Sequence, residues 1–209
     1  ISHLSTEMTA TSEVQPATVV TSTDDGAAPM SSLAVRMQKK LAGKLASNRR
    51  LTKQVLTDHA SALFDSLHAL LRDCMQKDKA DKMAKYAMKL ALKVGVLLKN
   101  GLLDGEKEQE ILFKVKNHCH ALALCICSFA TVAYSYERDY IISLCNSLRE
   151  ELAPLVDYQL SDKSSARLTY FFDNLCTPSV MDEIFRPEHD AFLKKFASDI
   201  DRLIESEQI

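Results

Sequence analysis

The sequence predicts an all-α protein, a bundle of six or seven helices, and three observations lead there. After residue 31, apolar residues recur at three- and four-residue intervals over most of the chain, the period of an amphipathic helix. No stretch shows the apolar–polar alternation of a half-buried strand. Stop signals fall where the helical period breaks, at Asn100-Gly101 and Ser161-Asp162 and beside Pro178 and Pro187. A chain of 209 residues with 46% hydrophobic content suits one globular domain of ordinary size.

Residues 1–30 hold four acids and no Lys or Arg, are rich in Thr, Ser, Ala and Val, and keep no period. They are predicted to be a disordered tail. The single helical domain is placed at 31–209 and opens with a basic amphipathic segment, 31–56, which carries seven Lys or Arg and no acid. Ser31-Ser32 can cap it. Leu33, Met37, Leu41 and Leu45 line one side, with Arg36, Lys40 and Lys44 beside them. Two roles stay open: a surface helix that packs by its leucines, or a helix drawn to an anionic membrane or a partner protein. Membrane attraction would contribute about 1 kcal/mol per basic residue near the surface.

Thr57-Asp58 begins the next helix, which runs through Leu63, Leu67, Leu70, Leu71 and Cys74. Asp78 to Asn100 follows as the organising stretch. Met83, Tyr86, Leu90, Val94, Leu97 and Leu98 form one apolar face, and Met88, Leu92 and Val96 fill much of the other. Such a helix is expected to be buried. Lys82, Lys85, Lys89 and Lys93 nevertheless form a stripe that climbs about 16 Å. Solvated lysines on snorkelling stems and an anionic ligand beside an apolar interior both account for it.

Glu106 to about Tyr134 is the longest helix. Its second half, Cys119 to Ala133, is nearly all apolar or small. Those fifteen residues fall short of the roughly 20 that span a bilayer, so an enclosed core helix is expected. Glu137 to about Gln159 is next, and Pro154 is expected to kink or end it. A short helix follows from Lys163 or Ser164 to Leu175, then a helical turn at Pro178. The last helix starts at Pro187, with Phe192, Phe196, Ile200, Leu203 and Ile204 as its apolar stripe.

The chemistry suggested by motifs is sparse. Five glycines cannot build a phosphate-cradling loop. His118, Cys119 and His120 are adjacent on a helix and diverge by about 100° each, so they cannot share one metal ion. No Glu has a His three residues on, which di-iron bundles need. No Ser-His-Asp or Cys-His signature appears. The expectation is no enzyme, no metal and no cofactor. The basic 31–56 run lacks interleaved aromatics, so nucleic acid is not expected as a partner. The six cysteines lack a C-x-x-C pair and fit free thiols in a reducing compartment. No basic flank followed by an apolar core marks a signal peptide, and the expected location is cytoplasmic.

One further pattern is specific by its order. Lys89-Leu-Ala-Leu-Lys-Val-Gly-Val-Leu-Leu-Lys-Asn-Gly101 is preceded by Gln38-Lys39-Lys40 and followed by Ser128-Phe129, Tyr134-x-Tyr136 and Leu160-Ser-Asp-Lys-Ser-Ser-Ala-Arg167. Over residues 32–209 this resembles the tumour necrosis factor-alpha-induced protein 8 family, as a divergent member. The resemblance implies an antiparallel helical bundle around a large apolar cavity. It also implies binding and transfer of phospholipids, notably phosphoinositides, transient association with the inner face of membranes, and a role in cell death or inflammatory signalling.

By motif match, the headgroup would meet Lys39, Lys40, Lys99, Lys114 and Lys116. Val115 stands where the family has an aromatic, Ala166 where it has glycine, and Pro154 interrupts a helix usually uninterrupted. The acyl chains would lie among Leu90, Val94, Leu97, Leu98, Leu122, Cys125, Phe129, Leu148 and Phe172. The alternative is a helical adaptor that docks a signalling protein through its basic N-terminal helix and has a solid core.

Overall fold

The computed structural model describes Met37, Lys40, residues 56–132 and residues 136–206. The tail expected over 1–30 lies outside the described residues. So does the basic helix expected over 31–56, apart from Met37 and Lys40, both helical and exposed, and Leu56. Among the described residues from 56 on, the elements are seven α-helices and one 3-10 turn, with no strand.

Helix α1 spans Asp58–Cys74 and starts where the Thr57 hydroxyl accepts the Ala60 N–H at 3.3 Å. Asp58 in its first turn and Arg72 in its last complement the helix dipole. Helix α2 spans Lys77–Lys99. It stops in a left-handed cap: Gly101 has φ 63°, its N–H donates to the Leu98 carbonyl, and the Leu102 N–H donates to that of Leu97. Glycine carries this conformation without a Cβ clash. Leu102 then packs with Leu97, Leu103 and Leu155, so the cap is anchored by apolar contact.

Helix α3 spans Glu106–Val132, and α4 spans Arg138–Gln159. Helix α5 spans Asp162–Leu175, α6 spans Pro178–Ile184 with its proline in the first turn, and α7 spans Asp190–Glu205. The start expected at Pro187 is a 3-10 turn, Pro187–His189, and the α-helix proper begins after it.

Neighbouring helices close on one another. The packing order runs α1–α2–α5–α4–α3–α7 and back to α1, with α6 laid against α4, α1 and α5. Six helices therefore form a closed ring around one apolar interior, which is the all-α bundle expected. The shared core includes Leu70, Ile126, Cys145, Leu148, Phe172 and Leu193. Helices α2 and α5 run antiparallel, since Tyr86 meets Tyr170 while the later Lys93 meets the earlier Ser164.

Three expectations need correction. Pro154 does not end α4, which passes through it. The bond it removes is to the carbonyl of Glu150, and both residues are exposed, so water can satisfy the acceptor. The 119–133 stretch is not enclosed on all sides. Ala123, Ile126 and Ala130 are buried, but Leu124 is 48% exposed, because α3 is a ring member with an outer face. In α7 the inward stripe runs through Leu193, Ala197, Ile200 and Leu203, and Phe192 points outward.

Candidate functional site

An apolar cavity of about 170 Å³ lies among the ring helices. Its lining is hydrocarbon apart from the Cys145 thiol and the Met181 thioether. Leu67, Leu70 and Leu71 come from α1, Leu122 and Ile126 from α3, and Ile141, Cys145 and Leu148 from α4. Phe171, Phe172 and Leu175 of α5, Met181 and Ile184 of α6, Phe185, and Leu193 and Phe196 of α7 complete it. The sequence favours this because each helix turns its three/four-spaced apolar stripe toward the ring centre. An apolar cavity of about 150 Å³ stays dry and admits a benzene-sized guest. The volume here is of that order.

Of the nine residues expected to line the cavity, Leu122, Leu148 and Phe172 do so. Helix α2 contributes none of its side chains. Leu90 is buried in the shared core, and Leu97 and Val94 pack with Leu103 and Leu155 at the end of the ring. Leu98, next to the cap, is 47% exposed. Phe129 packs edge-on against Phe185 at 4.9 Å and lies near Tyr136, while Cys125 is half-buried outside the lining. The physical reason is that the apolar surface of α2 is divided. Part of it meets α1 and α5 around Met83, and another part, around Leu92, meets Leu56.

Of the five cationic residues expected at a headgroup site, Lys39 lies outside the described residues. Lys40, Lys99, Lys114 and Lys116 are exposed. Lys114 is held at 2.8 Å by Glu110 one turn earlier, which raises its pKa through that hydrogen bond and charge. Lys99, at the end of α2, and Lys114 and Lys116, near the start of α3, belong to segments joined by the Leu97, Leu103 and Ile111 cluster. The exposed Leu98 and Phe113, the latter 66% exposed, belong to the same two segments. Both segments thus expose basic and apolar side chains. Among the described residues no helix is long and apolar enough to cross a membrane.

The lysine stripe of α2 leads elsewhere, to a groove against α5. Lys93 Nζ donates to the Ser164 hydroxyl at 2.7 Å, and Ser164 is fully buried. The Tyr86 and Tyr170 rings meet edge-to-face at 5.4 Å, and Lys82 Nζ stands 3.9 Å above the Tyr170 ring. Arg167 lies 5.7 Å from the Tyr86 ring. Tyr86, Lys163, Ala166, Arg167 and Tyr170 bound an open volume of about 400 Å³. Lys89 is half-buried here, and its pKa is pushed down by burial first, then by the charges of Arg167 and Lys85. Sequence inspection found the stripe but not its counterpart. The signal was present, since Lys163, Arg167 and Tyr170 recur at helical spacing on α5.

Comparison with known proteins follows the same fold. A family profile described as "Tumor necrosis factor alpha-induced protein 8-like" matches residues 28–207. Tumor necrosis factor alpha-induced protein 8 from Xenopus laevis is 28% identical over 180 residues, covering 85% of this chain and 95% of the relative. The Homo sapiens protein of that name is also 28% identical over 180 residues, covering 85% and 90%. Tumor necrosis factor, alpha-induced protein 8-like protein 2 A from Danio rerio is 27% identical over 176 residues, covering 83% and 94%. With the profile spanning nearly the whole helical ring, this chain belongs to the tumour necrosis factor alpha-induced protein 8 family, as a divergent member.

Proposed function

We propose that the protein is a non-enzymatic phospholipid-binding and transfer protein. Acyl carbon enters the ring cavity, and the headgroup, a phosphoinositide by family resemblance, meets Lys39, Lys40, Lys99, Lys114 and Lys116. The observation that carries this reading is the cavity, about 170 Å³ with no polar side chain in its lining. Burying hydrocarbon there gains about 0.8 kcal/mol per methylene, so a benzene-sized stretch contributes roughly 5 kcal/mol. A membrane offers the same gain to the same carbon, so the two compartments exchange lipid with little net difference. The exposed Leu98 and Phe113 beside lysines suit transient docking on an anionic cytoplasmic leaflet. Family membership supports a role in cell death or inflammatory signalling.

The test is native mass spectrometry of the purified chain together with transfer of fluorescent phosphoinositide between vesicles. Wild type is expected to carry lipid and to transfer it. Leu148→Trp, which fills the cavity, is expected to abolish both while the fold persists by circular dichroism. A wild-type protein that neither carries nor transfers lipid refutes the proposal. The adaptor reading would then stand, and the exposed Phe113, Leu124 and Tyr158 favour it as contact points for a protein.

A further inference from the structure

We propose that the α2–α5 groove is a second anion site, separate from the ring cavity and from the Lys99–Lys116 end. Its ligand carries two or more phosphoryl groups, as a free polyphosphate or as a lipid headgroup. The first observation concerns arginine. Of the six arginines among the described residues, five are ion-paired: Arg72 with Asp81, Arg138 with Asp182, Arg149 with Asp173, Arg186 with Glu183 and Arg202 with Asp199. Arg167 is the exception among them, and it is half-buried. Lys89 lies close enough to Arg167, and to Lys85, to feel the positive charge of each.

The second observation is that the cluster lacks neutralisation. Among the described residues, Lys82, Lys85, Lys89 and Lys163 also form no ion pair. Lys82 has an aromatic face in place of a carboxylate. Holding like charges together costs free energy unless an anion completes the site. The groove has room for one, at about 400 Å³. Its chemistry suits phosphate: an arginine fork for bidentate contact, lysines as point charges, and partial burial of Lys89 and Arg167 that strengthens their contacts. The number of cations calls for more than one phosphoryl group.

Titration calorimetry at about 0.15 M salt, where long-range attraction is screened, tests this. The soluble probes are inositol hexakisphosphate and inorganic tripolyphosphate. The membrane probe is a phosphatidylcholine vesicle with or without phosphatidylinositol bisphosphate. Wild type is expected to bind the soluble probes, with the groove as the tighter site. Lys89→Gln/Arg167→Gln should weaken them by about tenfold or more, the loss expected of two charge-assisted contacts. Lys107→Gln/Lys194→Gln removes the same charge elsewhere and should leave binding within about twofold. If the groove variant also loses the bisphosphate vesicles, the headgroup is the ligand; if vesicle binding is unchanged, the free polyphosphate is. Should the first variant fail to fold, Lys85→Gln/Lys163→Gln, both exposed, should weaken binding by about threefold. Equal affinity in the groove and control variants, or no binding of either soluble probe, overturns the proposal. It stands or falls without reference to the cavity, since no side chain of α2 lines that cavity.

Discussion

The imidazole of His189 joins two carboxylates: its Nδ1 lies 2.5 Å from Asp73, and its Nε2 lies 3.1 Å from Glu183. Only the imidazolium can donate to both at once. The contact ties the end of α1 to α6 and to the turn that leads into α7, and His189 is only 9% exposed. The hydrogen bond to Asp73 is the main cause that raises the His189 pKa above its ordinary 6.5; burial opposes it and Glu183 adds to it. A raised histidine pKa stabilises the fold fully below the unfolded value. That contribution is lost as pH rises through the folded value. Unfolding by urea should therefore show a midpoint that falls as pH climbs above about 6.5. His189→Gln should flatten this slope and cost about 1–3 kcal/mol at pH 6, because two carboxylates lose their partner. An unchanged slope in the variant would place the pH dependence elsewhere.

The cavity predicts an asymmetry between truncating and filling. Leu193 is 1% exposed and lines the void. Leu193→Ala should cost about 3–5 kcal/mol, since the removed methyl groups add to a space that is already empty. It should also increase uptake of a small apolar probe such as benzene, measured by the rise in melting temperature with probe concentration. Leu203 is equally buried, at 3% exposure, but does not line the cavity. Leu203→Ala should destabilise without changing probe uptake.

Two lysines adjacent in sequence should differ in worth. Lys194 pairs with Asp190 at 2.7 Å, both partners being about half exposed. Lys195 pairs at 2.5 Å with Asp199, whose side chain is 1% exposed. An exposed i,i+4 pair contributes about 0.3–0.5 kcal/mol. Removing Lys195 leaves the buried Asp199 carboxylate with Arg202 alone, farther off at 3.6 Å. Lys195→Met should therefore cost roughly 2 kcal/mol more than Lys194→Met in chemical denaturation.

Local grammar in the sequence was sufficient for the helices, including the Asn100-Gly101 stop and the break at Ser161-Asp162, because caps and periodicity act within a few residues. Which face of a helix meets the interior was less legible. Both faces of α2 are apolar, so periodicity could not say that Met83 turns to α1 and α5 while Leu92 turns to Leu56. Four of the nine residues expected to line the cavity lie on α2, yet its lining comes from six other helices and Phe185, because a void depends on how stripes far apart in sequence converge. The lysine stripe was visible from spacing alone. Its partner Ser164 lies 71 residues beyond Lys93, and only the antiparallel packing of α2 and α5 unites them.

The thiols supply a last contrast. Burial raises the pKa of Cys74, Cys119, Cys125 and Cys127, taking Cys74 to about 12 with help from Asp73 and Glu183. Cys145 is also raised, and its neighbour Cys176 is the one thiol that is lowered. The cause is the hydrogen bond from Cys145, which stabilises the Cys176 thiolate, with the charge of Arg149 adding to it. Thiolate fraction governs alkylation. Brief iodoacetamide treatment of the folded protein near pH 7.5, followed by peptide mass spectrometry, should therefore modify Cys176 first, although Cys125 is also half-buried. Cys145→Ala removes the donor and should slow modification of Cys176, because its thiolate fraction falls. Arg149→Gln should slow it less, since charge contributes less than the hydrogen bond. Uniform labelling of all six cysteines in the folded state would exclude a distinct Cys176.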